Sequence, residues 1–587
     1  MSTADPFDTA ELRAATLQAW RRSPTRLRED TATEADLVRG GYRDRVLTEL
    51  AQNAADAAVR AGVRGELTVR LVGDELRVAN TGAPLDRTGV QSLAALRASS
   101  KTGGVGRFGV GFTAVLAVTD EPRVLSTSGS VGFSAARTRA ELGQADVPVL
   151  RLVWPVPEQP GAEMSTEVVL PLRAGIDGAA LLEQFTAEAA DLLLALPGLH
   201  SIAVGEAWVQ RVEHPLASGL VEVRLGEQRW WSTEGSTRWL ARVNCDGQVQ
   251  PLGEDVLRAP TRTDEELSLP ALLVADVPLQ PDRRRLLPGT SLRPISNTYP
   301  ELVAALPAEQ RTRLVPLPGF PRSAVDAELR EGVLAALRDA SWLPAAEGHD
   351  LAPRAARVLD VANPELVALL ADVIPGLLAA ELSEGGHSAA LVALGVPRLG
   401  WSAVADALSG VQRDPEWWRR LYGALDPLVV DRRAAEELAA LPVPLVDGRT
   451  VLGPRSTVLA EVALTVPGVR VVHPEAAHPL LGRLGAVTAG ASELLQDELL
   501  RDAVRQADPD DVLAAAELAT AVLALVEAAG VRPGEHAWLG ELLLPDADGE
   551  LRPADELLLP DAPLHAVLSE DAPLSTVAAR VVAEHGP

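Results

Sequence analysis

The chain of 587 residues has one cysteine, Cys245. A single thiol excludes an internal disulfide and any zinc site of the usual cysteine-rich kind, and it suits a reducing compartment. Lysine is nearly absent: of the 54 basic residues, all but Lys101 are arginine. Asparagine occurs only at Asn53, Asn80, Asn244, Asn297 and Asn363, and there are six phenylalanines and three tyrosines. Ala, Leu, Val, Arg, Gly and Pro fill the remainder, as GC-rich codons would produce. Against that bias, Lys101, Asn53, Asn80, Phe108 and Phe112 all fall within one stretch of 60 residues. Residue types that the bias suppresses mark that stretch as a place where chemistry asks for them.

Positive charge is also in deficit. The 54 Lys and Arg against 81 Asp and Glu leave a net charge of −27. A sequence-independent grip on nucleic acid or anionic lipid needs cationic surface, so neither is expected as a partner. Acids and polar residues interrupt every apolar run before about 18 residues, so no membrane span is expected. The N-terminal MSTADPFDTAELRAAT lacks the apolar core of a signal peptide, and the expected location is the cytoplasm. What is present is globular: 47% apolar and 23% charged residues exclude wholesale disorder. At roughly 100–200 residues per domain, the length suggests three to five domains.

Residues 9–22 and 33–61 read as helices. In the second, Leu37, Tyr42, Val46, Leu50, Ala54 and Ala57 recur near helical spacing, and Gly62 is a plausible stop. LTVRLVGDELRVAN alternates around Gly73-Asp74 and reads as a hairpin. A polar, glycine-rich stretch follows to Gly106, then a short helix over 107–118, and strand-like runs at 122–135, 148–154 and 166–172. Residues 176–300 mix one helix with several strands, and helices dominate beyond 300.

Four motifs carry chemistry. Glu49, Asn53 and Asp56 stand at i, i+4 and i+7 of the second helix and share a face. That face suits oxygen ligation of a hard cation. Mg²⁺ takes few protein ligands, so the Asn53 carbonyl oxygen suffices, and Glu49 one turn earlier is placed to accept a proton from water. Gly106-Arg107-Phe108-Gly109-Val110-Gly111 opens a helix with three glycines, the arrangement in which backbone N–H groups receive phosphate. No Gly-Lys-Ser/Thr follows, so it is not a Walker loop. Asn80-Thr81-Gly82 ends a strand, and Thr166 begins another; each alone reads as a plain turn or strand.

Order and spacing give these motifs a joint meaning. A helix with E-x3-N-x2-D, a hairpin ending in N-T-G, a glycine-rich lid, a G-x-x-G-x-G helix and a Thr-bearing strand resembles the Bergerat-type ATP-binding domain of the GHKL superfamily. That superfamily includes Hsp90, gyrase B, MutL and sensor histidine kinases. The match covers about residues 30–175. ELAQNAADA, Ser99-Ser100-Lys101 and VGRFGVGF most resemble the sacsin N-terminal, Hsp90-related group. The resemblance implies that ATP and Mg²⁺ are the cofactors. Asn53 would coordinate the Mg²⁺, and Glu49 would be the general base toward the γ-phosphate. Asp56 would support the pocket floor, and Gly82 would lie against adenine. Residues 86–105 would form a lid with Lys101 near the phosphates. Gly106, Gly109 and Gly111, with the intervening Arg107, Phe108 and Val110, would cradle the phosphates. Thr166 would reach adenine through water. Asn80 stands where the family usually has Asp; its amide oxygen can accept from the adenine amino group, but its NH₂ must find another acceptor. Pro84 replaces a usual glycine. Asp282-Arg283-Arg284-Arg285 is a candidate source of the arginine that Hsp90-like ATPases bring to the γ-phosphate.

The C-terminal half repeats itself. Pro344 to Gly348, Pro444 to Gly448 and Pro545 to Gly549 are the same Pro-x3-Gly spacing, with a weaker echo at Asp246-Gly247. His387…Gly395 returns as His478…Gly485. Such self-similarity implies a reused supersecondary unit. The expected fold class is therefore α/β: a Bergerat-type α/β sandwich ATPase domain, then α+β and mostly helical repeated modules. The expected divisions are 1–175 (ATP-binding domain), 176–300 (mixed middle region) and 301–587 (helical α/β repeats). The expected function is an Mg-dependent ATPase of the Hsp90/sacsin type, a chaperone-like machine with protein clients or partner subunits. The alternatives are a nucleotide-binding scaffold with little hydrolysis and a DNA-associated GHKL ATPase, which the acidic charge disfavours.

Overall fold

The computed structural model describes residues 5–40 (backbone alone over 37–40), 45–95, 111–280, 283–460, 469–567, 569 and 573–586. The chain divides into two compact units. One runs through Leu343 and includes Ala352–Arg354 and Ala389–Gly395; the other holds Pro344–Leu351, Ala355–Ser388 and everything from Val396. The expected divisions at 175 and 300 both fall inside the first unit.

The first unit is mixed α/β. Its helices are α1 (Thr9–Arg22), α2 (Pro24–Gly40), α3 (Val46–Ala61), α4 (Arg87–Leu93), α5 (Ala135–Leu142), α6 (Gly178–Ala195), α7 (Arg293–Ser296), α8 (Tyr299–Ala304) and α9 (Ala324–Asp339). Its strands are β1 (Gly65–Val72), β2 (Glu75–Asn80), β3 (Arg123–Ser126), β4 (Ser130–Gly132), β5 (Trp154–Val156), β6 (Thr166–Pro171), β7 (Leu199–Val204), β8 (Ala207–Pro215), β9 (Val221–Leu225), β10 (Gln228–Ser232), β11 (Thr237–Val243), β12 (Val249–Gln250), β13 (Asp255–Arg258), β14 (Arg262–Leu267) and β15 (Leu272–Ala275). All fifteen belong to one sheet in the order β14-β13-β15-β11-β10-β9-β8-β7-β1-β2-β6-β3-β4-β5, with β12 beside β11. Most pairs are antiparallel; β1 with β7 and β13 with β15 are parallel. The core lies where α3 and α6 cover the sheet: Leu47, Leu50, Ala51 and Ala54 meet Leu67, Val69, Leu76, Val78, Phe185, Leu193 and Ile202. Burying such side chains contributes roughly 1.5–3 kcal/mol each relative to leaving them exposed.

Two local expectations change. The helix read as 33–61 is two helices, α2 and α3. The Gly40-Gly41 pair is a poor helix interior, since each glycine costs about 1 kcal/mol against alanine. The run 148–154 is not a strand until Trp154. Buried Glu34 of α2 takes the amides of Val149 (2.5 Å) and Leu150 (3.0 Å) on its carboxylate, which removes them from any ladder.

The second unit reuses one turn. Ala345 with His349, Leu445 with Arg449 and Asp546 with Glu550 make the same backbone bond (2.9, 2.8 and 2.9 Å), closed by Gly348, Gly448 and Gly549 at φ 83°, 81° and 88°. After each turn comes a short strand that pairs in parallel with a later one: 358–359 with 398–399, 458–460 with 487–489, and 557–558 with 575–576. The echo at Gly247 belongs to the first unit and has φ 76°. Helix Val512–Ala529 is long and apolar enough, by length and composition, to cross a membrane. Glu517, Thr520 and Glu527 interrupt its apolar run. One face of it, Leu518, Val522 and Leu525, packs on Leu494, Leu495, Leu500 and Val504.

Candidate functional site

Helix α3 positions the site. Its alanines and leucines favour helix. Gly62 ends it with φ 66°, its N–H returning to Val59 and that of Val63 to Ala58. Val46, Leu47, Leu50, Ala54 and Ala58 turn to the core, and Glu49 and Asn53 turn into a cavity. The far wall is the sheet, through Val78 and Asn80 of β2, Val124 of β3, and Thr166 and Val168 of β6. The lining is completed by Ala83, Pro84, Leu85 and Asp86, by Thr88, Gly89, Ser92 and Leu93 of α4, and by Gly111, Phe112 and Arg283. The described start of the expected lid, residues 86–95, therefore borders this cavity. Asp86 caps α4 by accepting from the Gly89 amide (2.6 Å). Arg87 ties α4 to α1 through Asp8 (2.9 Å) and Glu11 (3.2 Å).

One end of the cavity is a buried polar cluster. The Arg283 guanidinium Nη1 donates to both Glu49 oxygens (3.1 Å each) and to Gln52 Oε1 (2.7 Å). Gln52 Nε2 in turn donates to Thr261 Oγ1 (3.0 Å), at the turn between β13 and β14. Glu49 is 3% exposed and Arg283 6%. A buried carboxylate needs such a partner, because taking an ion out of water costs several kcal/mol. Arg283 reaches it from a hairpin stem, where Leu279 bridges Leu286, and its own φ is 55°. A non-glycine residue in that left-handed region is strained, typically by about 1–3 kcal/mol. Of the three arginines in the run, only Arg283 arrives. Arg284 pairs with Asp264 (3.4 Å), and Arg285 is exposed.

Gly111 sits against this cluster. A Cβ built there would overlap Glu49 Oε2 and stand 2.8 Å from its Cδ. Gly111 is expected in the phosphate cradle; the space of its missing side chain is filled by the carboxylate of Glu49.

The other end is set by β2 and β6. Asn80 and Thr166 are direct cross-strand neighbours, and both line the cavity. Asn80 Nδ2 donates to the Thr81 carbonyl (2.8 Å). The NH₂ thus has its acceptor within the chain, and the amide oxygen is the group left to face a ligand. Gly82 packs against α3. At φ 122°, a Cβ on it would stand 2.6 Å from Ala57 C and 2.7 Å from Ala58 N. Its missing side chain faces α3, not the cavity, and lets the Ala83 amide reach the Ala57 carbonyl (2.9 Å). Asp56 is half-buried and is not among the residues that line the cavity. Lys101, Gly106, Arg107, Phe108, Gly109 and Val110 lie outside the described residues.

Two participants escaped the sequence reading. Gln52 stands three residues after Glu49, so helical spacing alone places it beside that carboxylate. Arg60, seven residues after Asn53, lines the cavity. Among the described residues, no group of three or more His, Cys, Asp or Glu gathers as a metal site. No protein-family model matches the chain, and no curated protein matches it.

Proposed function

We propose that the first unit carries a Bergerat-type ATP site of the GHKL superfamily, and that the protein is an Mg-dependent ATPase of the Hsp90/sacsin type. The observation that carries this is the convergence of Glu49, Asn53 and Arg283 at one end of a cavity whose other end presents Asn80 beside Thr166. The apolar wall of Leu50, Val78, Val124 and Val168 suits a purine ring, and the Asn80 oxygen suits its exocyclic amine. A single protein oxygen, that of the Asn53 amide, fits Mg²⁺ that arrives with its nucleotide, and not a metal held by protein alone. When bound, that ion would supply charge neutralisation at the phosphates.

The chain's residues supply the rest. Arg283 is shared between Glu49 and any γ-phosphate. Drawn to the phosphate oxygens, it neutralises charge there. The same move frees Glu49 to take the proton of a water attacking phosphorus, while the bond to the ADP oxygen breaks. The coupled role is a chaperone-like conformational machine acting on proteins in the cytoplasm. A second reading, a nucleotide-binding scaffold with little turnover, is favoured by the Arg283–Glu49 ion pair itself, which occupies both oxygens of the base.

ATP turnover and ATP binding of wild type, Glu49→Ala and Arg283→Ala test this. The ATPase reading expects wild-type turnover that falls at least 100-fold in Glu49→Ala while binding persists. Binding without turnover in every variant leaves the scaffold; no ATP binding by the wild type ends both.

A further inference from the structure

Phenylalanine is scarce in this chain, and Phe7, Phe112, Phe133 and Phe185 are buried, whereas Phe320 is 97% exposed. Its neighbour Leu317 is half-exposed. Pro318 between them and the following Pro321 restrict the backbone. Both ends are pinned. Arg330 of α9 donates to the Leu317 carbonyl and to Ser268 O (3.0 Å) and Oγ (2.8 Å). Wholly buried Asp326 accepts from the amides of Arg322 (2.8 Å) and Ser268 (2.9 Å) and from the Ser268 hydroxyl (2.6 Å). Ser323 donates to the Glu266 carbonyl (3.1 Å). A large aromatic held out on a braced loop loses little freedom on docking, which is what an interface anchor needs.

The surroundings say what it docks into. Glu254, Glu266 and Glu328 are exposed around the loop's anchor points; Arg322 and Glu254 pair and offset one another, which leaves Glu266 and Glu328 in excess. The charge of Arg330 is offset by that of buried Asp326, the two sharing the Ser268 hydroxyl. The rim of the knob is therefore acidic. A second copy of a chain with net charge −27 would be repelled.

We propose that Phe320 is the anchor of a protein-docking site on the first unit, and that its partner is a different protein presenting an apolar pocket with a rim of Lys and Arg. The test places the photo-crosslinking residue p-benzoylphenylalanine at position 320 of the full chain, in the cells that make it, with exposed Leu452 as the control position. The expected result is one discrete heterologous adduct at 320 and none at 452. The adducted protein, once purified, should bind the wild-type chain. It should bind Phe320→Ser 10- to 100-fold more weakly, the range expected for an aromatic lost from a fitted pocket. Raising salt from about 50 to 300 mM should weaken binding several-fold. The thermal midpoint of Phe320→Ser should match wild type, since the side chain lies in solvent. An adduct of the chain with itself, adducts at both positions, none at 320, or binding indifferent to Phe320→Ser or to salt would each overturn the proposal.

Discussion

Replacing Gly111 by alanine puts one methyl group where the Glu49 carboxylate lies. The new Cβ would stand 2.8 Å from Glu49 Cδ and overlap Oε2. Carbon atoms settle at about 3.5–4.0 Å, so the carboxylate must retreat by roughly 1 Å. Each Arg283 Nη1 to Glu49 oxygen distance is now 3.1 Å, and a shift of that size disturbs the geometry of the pair. The methyl thus costs overpacking of about 1–3 kcal/mol and weakens a buried ion pair whose outright breakage costs about 3–5 kcal/mol. A total of about 2–4 kcal/mol is expected, allowing for partial relaxation. A double-mutant cycle isolates it: wild type, Gly111→Ala, Glu49→Ala and the double variant, compared by urea denaturation. With the carboxylate gone, the methyl has room, and Gly111→Ala should then cost less than about 1 kcal/mol. Equal costs in both backgrounds would refute the steric account and return Gly111 to a role in ligand binding alone.

Other consequences follow from the same geometry. In Asn80→Asp the donor to Thr81 O is lost and a carboxylate oxygen faces that carbonyl, so free-protein stability should fall by about 1–3 kcal/mol; a gain in stability would sink this assignment of the amide. Burial pushes the Glu34 carboxyl above its usual range, although the Val149 and Leu150 amides pull it down. The folded protein then binds the proton more tightly, so stability is greatest below the ordinary glutamate range and declines as pH rises through the raised value. The slope of stability against pH above about 4.3 should be less negative in Glu34→Gln, and identical slopes would contradict it. Gly348, Gly448 and Gly549 share one left-handed turn with open space around the missing Cβ. Alanine at each should cost about 1–2 kcal/mol by thermal unfolding, and Asn clearly less; three unequal costs would deny them a common geometry.

Helical and alternating periods are local, and where they ruled, the sequence was readable. The face of α3 with Glu49 and Asn53, the hairpin around Gly73-Asp74 and the glycine stop at Gly62 all follow from spacing of a few residues. The adjacency of Asn80 and Thr166 was less accessible, because it depends on β2 pairing with β6 across a long insertion. The Arg283 contact spans 234 residues. Composition offered three consecutive arginines, and only the register of a hairpin decides which one turns inward. Gly82 and Gly111 show a different limit. A pattern marks where glycine is required, but the reason is the atom that fills the missing side chain's space: helix backbone for one, a carboxylate for the other. The strand lost near 148 was decided by Glu34, a residue more than a hundred positions away that competes for the same amides.

The fifteen-stranded sheet has a mechanical consequence. The strands that frame the cavity and those that lead to Arg283 lie in one strand order, but the two sets meet only in β8. Its residues 207–210 pair with β7 and its residues 211–215 pair with β9, so no residue of β8 is held from both sides. The carboxylate's half and the arginine's half of the sheet are thus coupled in series through a single strand. A bend of the sheet between Gln210 and Arg211 would change the separation of Glu49 and Arg283 without breaking a ladder.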